Sequence, residues 1–333
     1  MRRYRPWDGR TGGIVSARTL TKKIGVVTVT FNAGGFLQPF VDCCLAQTFR
    51  DFELLVIDNA SSDNTLELLS AAADPRLSLI RNEHNVGYAA ACNQGIRHFL
   101  ECGVNDILFI NNDTEFGPEL FGALRALRAR HNADAITPRI GYAEDPEINW
   151  YAGGRFTFWK GFQGEHLGHG EKYDPTDTEP RWTPVAPGCC VMFAAATLER
   201  IGFFDEKYFV YFEDTDYFLR MKRAGLRLLY APEVSIAHKI SLSTGGSQSD
   251  FSIRHYQRNQ MYLLRKHFGL MVSVFQAVPI VLKATTRLLA CQDTIRQYGL
   301  RLSAIGEGFR MSVRSAPYAE QYFSRKRSAK ADS

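Results

Sequence analysis

The chain predicts an α/β fold built on a mostly parallel sheet, and three observations carry that expectation. Short β-branched runs alternate with segments of helical period from Ile24 to Ile110. Three of those runs end in polar residues, at 28–32, 58–63 and 111–113. The 333 residues, 45 % hydrophobic and 23 % charged, have an ordinary soluble composition with room for a substantial core. Strand–helix alternation of this kind implies right-handed crossovers between parallel strands, and ligands of such sheets sit outside the strands' carboxyl ends. Three polar clusters converging on that edge mark a site.

The elements follow in order. "IGVVTVTFN" from Ile24 reads as a strand, and a helix is expected from about Leu37 to Gln47. "FELLVID" is the next strand. Asn64 followed by Glu67 resembles a capping box ahead of Leu66, Leu68 and Leu69. "LSLIRN" is a short strand, and the helix from about Tyr88 to Cys102 aligns Cys92, Ile96, Phe99 and Leu100 on one face before Gly103 stops it. "ILFINND" is the third long strand. Residues 142–187, rich in Gly, Pro, Trp and Tyr, are expected as loops over the sheet edge. "GCCVMF" then reads as a strand leading into a helix, "YFEDTDYFLRMKRAG" as a helix stopped by Gly225, and "LRLLYAPEVSIAHK" as extended chain. Neither GxGxxG nor GxxxxGK[ST] occurs, so a dinucleotide fold or a P-loop has no support.

The net charge of +5 is concentrated at the ends, in Arg2, Arg3, Arg5, Arg10, Arg18, Lys22 and Lys23, and in Arg310, Arg314, Arg325, Lys326, Arg327 and Lys330. Basic tails on a near-neutral middle suggest attraction to an anionic surface, with solvated tails as the plain alternative. The seven cysteines include the adjacent pairs Cys43–Cys44 and Cys189–Cys190 and no CxxC, which suits reduced, mostly buried thiols in a cytoplasmic protein. The N-terminus has no apolar signal-peptide core, and no run reaches the roughly 20 apolar residues of a bilayer span.

The ordered set "VVTVTFN", "VIDNASSDNT", "NEHNVGYAAACNQGI", "FINNDT", "PGCCVMF", "YFEDTDYFLRMKRAG" and "APEVSIAHKIS" resembles the family 2 inverting glycosyltransferases of the GT-A fold, in their rhamnosyltransferase-like branch. The resemblance covers roughly 24–267. Outside it, the charge distribution and apolar pattern give a basic N-terminal tail over 1–22 and a C-terminal helical, membrane-associating segment with a basic tail over 268–333. The resemblance itself implies a GT-A domain over 23–267. Its donor would be a nucleotide-diphosphate sugar, dTDP-L-rhamnose in this branch with UDP- or GDP-sugars as alternatives. The acceptor would be a surface polysaccharide or polyprenyl-linked glycan. It implies no nucleic-acid partner, leaves room for a homodimer, and suits the inner face of the cell membrane.

Carried over residue by residue, the resemblance places Thr28, Phe31 and Asn32 along the nucleotide pocket. Asp58 would accept from the base or ribose, with Asp63 nearby, and Asn85, Gly87, Asn93 and Asn112 would line the nucleotide sugar. Asp58 also follows from chemistry, since a carboxylate is a strong acceptor for a uracil or thymine N–H. For Asp63 the rival role is capping the helix before Leu66, and for Gly87 a tight turn. The family's Asp-x-Asp metal motif appears here as Asn111-Asn112-Asp113. Asp113 and His238 would ligate Mn²⁺ or Mg²⁺, with Asn111 offering a weaker neutral oxygen. Glu213 and Asp214 open a helix whose dipole favours a carboxylate, and Asp214 would be the general base; helix capping by these two and Asp216 is the plain alternative.

Gly188, Cys189 and Cys190 would flank the acceptor side, with no histidine placed to activate a cysteine nucleophile. Trp150, Tyr151 and Trp159 are candidates for stacking on sugars or for packing. "GGSQ" and the helix after it resemble the family's C-terminal helix, where Arg254, Tyr256 and Arg258 are candidates for the diphosphate. The apolar stretch from Leu270 to Leu282, followed by Lys283 and Arg287, fits an interfacial helix on an anionic membrane, or a packing or dimer segment. Two other functions stand open on the sequence. A nucleotidyltransferase would want a basic glycine-rich loop, which "TFNAGGF" does not supply. A non-catalytic glycan-binding homologue draws weight from the missing first aspartate.

Overall fold

The computed structural model describes residues 21–158, 161–239 and 248–313. Trp159, the glycines of "GGSQ", and the basic residues at 2–18 and 314–330 lie outside the described residues. The first half of the chain contains β1 (Thr21–Thr30), α1 (Leu37–Leu45), β2 (Phe52–Asp58), α2 (Thr65–Ala71), β3 (Leu77–Arg81), α3 (Tyr88–Cys102) and β4 (Val104–Ile110). Next come β5 (Thr114–Phe116), α4 (Leu120–Arg130), β6 (Ala135–Tyr142), β7 (Asn149–Tyr151), β8 (Gly154–Thr157), β9 (Gln163–His166) and β10 (Arg181–Thr183). The chain continues through β11 (Cys190–Ala194), α5 (Ala195–Ile201), α6 (Glu213–Arg223), β12 (Leu228–His238), α7 (Asp250–Leu289) and α8 (Ile295–Arg310).

Strands β3, β2, β1 and β4 lie side by side in parallel, as their alternation with helices predicts. Beyond β4 the sheet becomes mixed: β11 inserts antiparallel between β4 and β6, β12 runs parallel to β6, and β10 pairs antiparallel with β12. Helix α3 crosses tightly over β1 because glycines face its bulk. A Cβ on Gly25 would lie 2.4 Å from the Phe99 ring, and one on Gly95 2.6 Å from the Val27 side chain. Gly25→Ala is therefore expected to destabilise the protein by about 1–3 kcal/mol through overpacking, read as a lower denaturation midpoint at unchanged m-value.

Three local expectations are corrected. Asn64 sits at the start of α2 without a side-chain cap; Asp63 does that work instead, with Oδ1 accepting from the Thr65 N–H at 3.1 Å and its hydroxyl at 2.5 Å. Residues 142–187 are not all loop, since β7–β10 lie within them and β8–β9 form a separate hairpin. Helix α4 and strand β6 were not read from sequence. The sequence of β6, "AITPRIGY", looks like a turn because of Pro138 and Gly141, yet nearly the whole strand is buried. The register with β12 jumps from Ala231↔Pro138 to Ser235↔Arg139, and this irregularity accommodates the missing proline N–H.

Helix α7 is broken at Gly269, whose φ of 82° and ψ of 176° are not helical. Its second half folds back, and α8, opened by a Thr294–Gln297 capping box, packs against it.

Candidate active site

The carboxyl ends of the parallel strands border one cavity of about 640 Å³. Its first wall comes from the turn after β1: Thr30 and Phe31 line it, and the buried Thr30 hydroxyl has no hydrogen-bond partner among the described residues. Asn59, Asn85 and Gly87 add a second wall. The Gly87 N–H donates to Asn85 Oδ1 at 2.9 Å, turning the chain into α3. A Cβ on Gly87 would strike the Phe209 ring at 2.6 Å, and its φ of 87° favours glycine independently.

Asn111, Asn112 and Asp113 follow β4 into the same cavity. Strand β5 pairs with the end of β12 in the register His238↔Thr114, which brings a residue far along the chain beside Asp113. His238 Nε2 lies 3.2 Å from Asp113 Oδ1, both groups being buried. Neither Asp113 Oδ1 nor His238 Nδ1 has a hydrogen-bond partner of acceptable geometry. Ligand atoms at about 2.1 Å from one ion stand about 3 Å apart, so this pair fits a divalent cation between them. No group of three His, Cys, Asp or Glu side chains gathers there among the described residues, so further ligands would be water, a substrate oxygen or Asn111. Asn111 Oδ1 accepts from the Tyr88 hydroxyl at 3.2 Å, a contact it also shares with the Gly188 carbonyl at 3.0 Å.

Glu213 and Asp214, in the first turn of α6, line the same cavity. Asp214 Oδ2 accepts from the Gly188 N–H at 3.0 Å, and Oδ1 from the Thr215 N–H at 2.5 Å and hydroxyl at 3.1 Å. Glu213 Oε2 is buried without a partner. The helix dipole does not dominate here as the sequence suggested. Burial raises the Asp214 carboxyl above its ordinary range, opposed by those donors, and raises Glu213 further, with the Asp214 charge adding to it. Both carboxyls are thus pushed toward their protonated forms, Glu213 more strongly than Asp214, whose three donors oppose the shift.

The turn into α6 is strained. Phe209, Tyr211 and Phe212 all have positive φ, at 63°, 67° and 71°, and all three line the cavity. Asn259 Nδ2, fully buried on α7, holds this turn by donating to the carbonyls of Tyr208, Val210 and Tyr211 at 2.7, 2.7 and 2.9 Å.

Several sequence candidates do not line the cavity, and most of them bond elsewhere. Thr28 is buried in β1. Asn32 Oδ1 accepts from the Ser62 N–H at 2.8 Å, joining the turns after β1 and β2. The buried Asp58 carboxylate accepts from the Ser61 N–H at 3.1 Å, and Asp63 Oδ2 takes the Gly34 N–H at 2.9 Å. Asn93 is buried, bonding the Phe204 carbonyl and N–H at 3.0 and 2.9 Å. Arg254 pairs with Glu307, and Arg258 donates to the Lys207 and Tyr208 carbonyls, leaving only Tyr256 of that trio on the cavity. Cys189 lines the cavity but burial keeps its thiol protonated, and all seven cysteines are free.

Sequence reasoning missed His166. It reaches the cavity from β9, packed edge-on to Trp150, and its ring N–H donates from Nδ1 to the Trp150 carbonyl at 3.1 Å. Burial lowers its pKa to about 4, so it stays neutral at physiological pH. A lone histidine in a Gly-rich stretch carries no periodic or motif signal that could have singled it out.

The mixed, mostly parallel sheet with its cavity at the strands' carboxyl edge is a GT-A fold. The chain belongs to glycosyl transferase family 2, whose model matches residues 25–202, and it is a glycosyltransferase. It is 26 % identical to the N-acetylglucosaminyl-diphospho-decaprenol L-rhamnosyltransferase of Mycobacterium tuberculosis, over 273 residues covering 75 % of this chain and 87 % of that one. It is likewise 26 % identical to the dTDP-rhamnosyl transferase RfbF of Shigella flexneri, over 254 residues covering 74 % and 81 %. Among solved structures, GalNAc-T7 with UDP, GalNAc and Mn²⁺ superposes with a TM-score of 0.57 at 19 % identity, over 73 % of this chain and 50 % of that one. S. aureus TarS 1-349 in complex with UDP-GlcNAc does so with a TM-score of 0.56 at 14 % identity, over 86 % and 80 %. These two likenesses speak to the fold alone.

Proposed function

We propose that this chain is an inverting glycosyltransferase that moves L-rhamnose from dTDP-L-rhamnose to a hydroxyl of a polyprenyl-linked glycan or surface polysaccharide. The observation that carries the reading is the placement of the Asp113–His238 pair and the Asp214 carboxylate on one cavity. The names of the rhamnosyltransferase relatives support the choice of sugar and of a lipid-linked acceptor.

In this reading Phe31 offers a ring face to the base, and Asn59, Asn85 and Gly87 bound the nucleotide. Asp113 and His238 would hold Mn²⁺ or Mg²⁺, which would neutralise charge on the leaving diphosphate. Asp214 takes the proton of the acceptor hydroxyl. The freed oxygen forms its bond to the anomeric carbon on one face as the carbon–oxygen bond to the diphosphate breaks on the other, so the centre inverts.

The direct test is a panel of nucleotide sugars, with and without Mn²⁺, read by transfer, by donor hydrolysis and by melting temperature. dTDP-L-rhamnose with Mn²⁺ is expected to raise the melting temperature by a few degrees at saturation. If no nucleotide sugar shifts it, the reading fails. Asn111→Asp, which restores a carboxylate beside Asp113, is expected to tighten Mn²⁺ binding without nucleotide by about tenfold in calorimetry. An unchanged affinity would remove Asn111 from the metal shell.

A further inference from the structure

The second half of α7 is apolar on two faces, and only one of them is covered. Its inner face buries Ser273, Gln276 and Ala284, while Ala277, Ile280 and Val281 pack against Met261, Leu264 and Ile305. Its outer face presents Met271, Val274, Phe275, Val278, Leu282 and Leu289, each between 53 and 85 % exposed. The spacing of Met271, Phe275, Val278, Leu282 and Leu289 is that of one helical stripe. Soluble surfaces rarely leave a contiguous apolar stripe of this kind without a partner.

Charge decides between occupants. After Asp250, α7 carries no carboxylate, while the exposed Lys283, one residue after Leu282, lies on the flank of the stripe. A second copy packed on this face would bring the same residues and no counter-charge for Lys283. An anionic bilayer supplies phosphates to which a lysine reaches while its stem stays on apolar surface. The residues beyond the described C-terminus, with Arg314, Arg325, Arg327 and Lys330 among them, add the same sign.

The stripe also has a fixed relation to the cavity. Because α7 reverses at Gly269, Arg287 returns to within 3.0 Å of Gln248, next to the turn that opens the helix. Arg296 of α8 pairs with Asp250 in that same turn. Phe251, the next residue, lines the cavity and is 42 % exposed. The stripe's end near Leu289 thus adjoins the Phe251 side of the cavity mouth.

We propose that the outer face of α7 from Met271 to Leu289 lies flat on an anionic lipid bilayer and sets the Phe251 side of the cavity mouth at the headgroup level. The idea builds on the reading of a lipid-linked acceptor, which such a placement would deliver to Asp214 without leaving the membrane. Against the expectation from sequence, α7 is long and apolar enough by length and composition to cross a bilayer, but the inner face of its second half is packed against Met261, Leu264 and Ile305, which places it on the surface and not across it.

The test sediments the full-length chain, without nucleotide sugar or acceptor, with vesicles of phosphatidylcholine alone or containing roughly 30 % phosphatidylglycerol. Wild type is expected to bind the anionic vesicles preferentially. The double variant Val278→Asp/Leu282→Asp is expected to bind them at least about tenfold less, with an unchanged melting temperature because both positions are exposed. Lys283→Glu is expected to weaken anionic binding severalfold and leave neutral binding alone. Wild type remaining in the supernatant would overturn the proposal, as would a double variant that sediments like wild type, which would assign binding to the basic ends. A dimer in light scattering that the double variant splits with no lipid effect would give the stripe to a second copy. Resistance of the membrane-bound protein to alkaline carbonate extraction would mean that it spans. Because no substrate is present, a chain that transfers sugar but ignores vesicles would sink only the docking, and the converse result only the transfer reading.

Discussion

Asp214→Asn is expected to lower kcat for sugar transfer about a thousandfold while leaving donor affinity within about twofold. The factor corresponds to about 4 kcal/mol of lost transition-state stabilisation, the amount a positioned base supplies. Asparagine keeps the shape, but its single oxygen can accept from only one of the Gly188 and Thr215 N–H groups, which bond different oxygens of the carboxylate, so the α6 turn loses one contact and keeps the other. Glu213→Gln separates the two carboxylates. If Glu213 carries the shared proton, the amide replaces a group that was already neutral, and transfer should fall less than about tenfold. Equal losses in both variants, or near-full transfer by Asp214→Asn, would show the base misassigned.

The pH profile carries the same assignment. Burial raises the folded Asp214 carboxyl above its ordinary value near 4, so the acid limb of kcat/KM should lie above that pH, and activity should fall as the pH drops through it. The stability sign runs the other way. A carboxyl whose folded pKa is raised disfavours folding once the pH exceeds its unfolded pKa, so at pH 7 Asp214→Asn relieves that cost and should lower the melting temperature by no more than its one lost hydrogen bond accounts for. A site that stores this cost is one that function maintains.

Which parts of this site were legible follows from how each residue is held. The edge at which the site forms was readable because consecutive parallel strands place their polar ends together, and Asn111–Asp113 lie there by chain order alone. The partnership of Asp113 with His238 depends on the antiparallel β5–β12 register, a pairing that no local pattern encodes. Asp63 and Asn32 looked like ligands because a polar turn at a strand end has the same composition whether it binds substrate or ties two loops together. The structure shows the second use, through the Gly34 and Ser62 N–H groups. Asn259 and His166 were invisible for the opposite reason. One sits within a helical run and the other within a Gly-rich stretch, and their roles come from tertiary contacts with Tyr211 and Trp150. The strand β6 was hidden by Pro138, whose cost is absorbed by the irregular register of β12.

Asp216→Asn is expected to be the most destabilising of these substitutions, costing about 3–5 kcal/mol and lowering the melting temperature by on the order of 10 °C. Asp216 is fully buried two residues beyond Asp214 and does not line the cavity; it sits among basic side chains. Its Oδ2 meets Arg220 Nε at 2.9 Å, and its Oδ1 meets Lys266 Nζ at 2.6 Å and His267 Nε2 at 2.7 Å. Lys266 also pairs with Asp205 at 2.8 Å, and Arg220 donates to the Ile201 and Phe203 carbonyls. The carboxylate thereby joins α6 to α7 and to the loop after α5, fixing the helix whose first turn carries Asp214. Asparagine would leave Arg220 and Lys266 facing each other with half their compensation gone. The neighbouring cations hold the Asp216 carboxyl far below its usual range, so its contribution is complete above the unfolded value near 4 and declines only as the pH falls below that. A second substitution distinguishes stranded charge from simple loss of a contact. Lys266→Met in the Asp216→Asn background removes one uncompensated cation and should recover part of the loss, whereas in the wild-type background it should destabilise. If the two substitutions were additive, the cluster would be a set of independent contacts, and α6 would owe its position to packing alone.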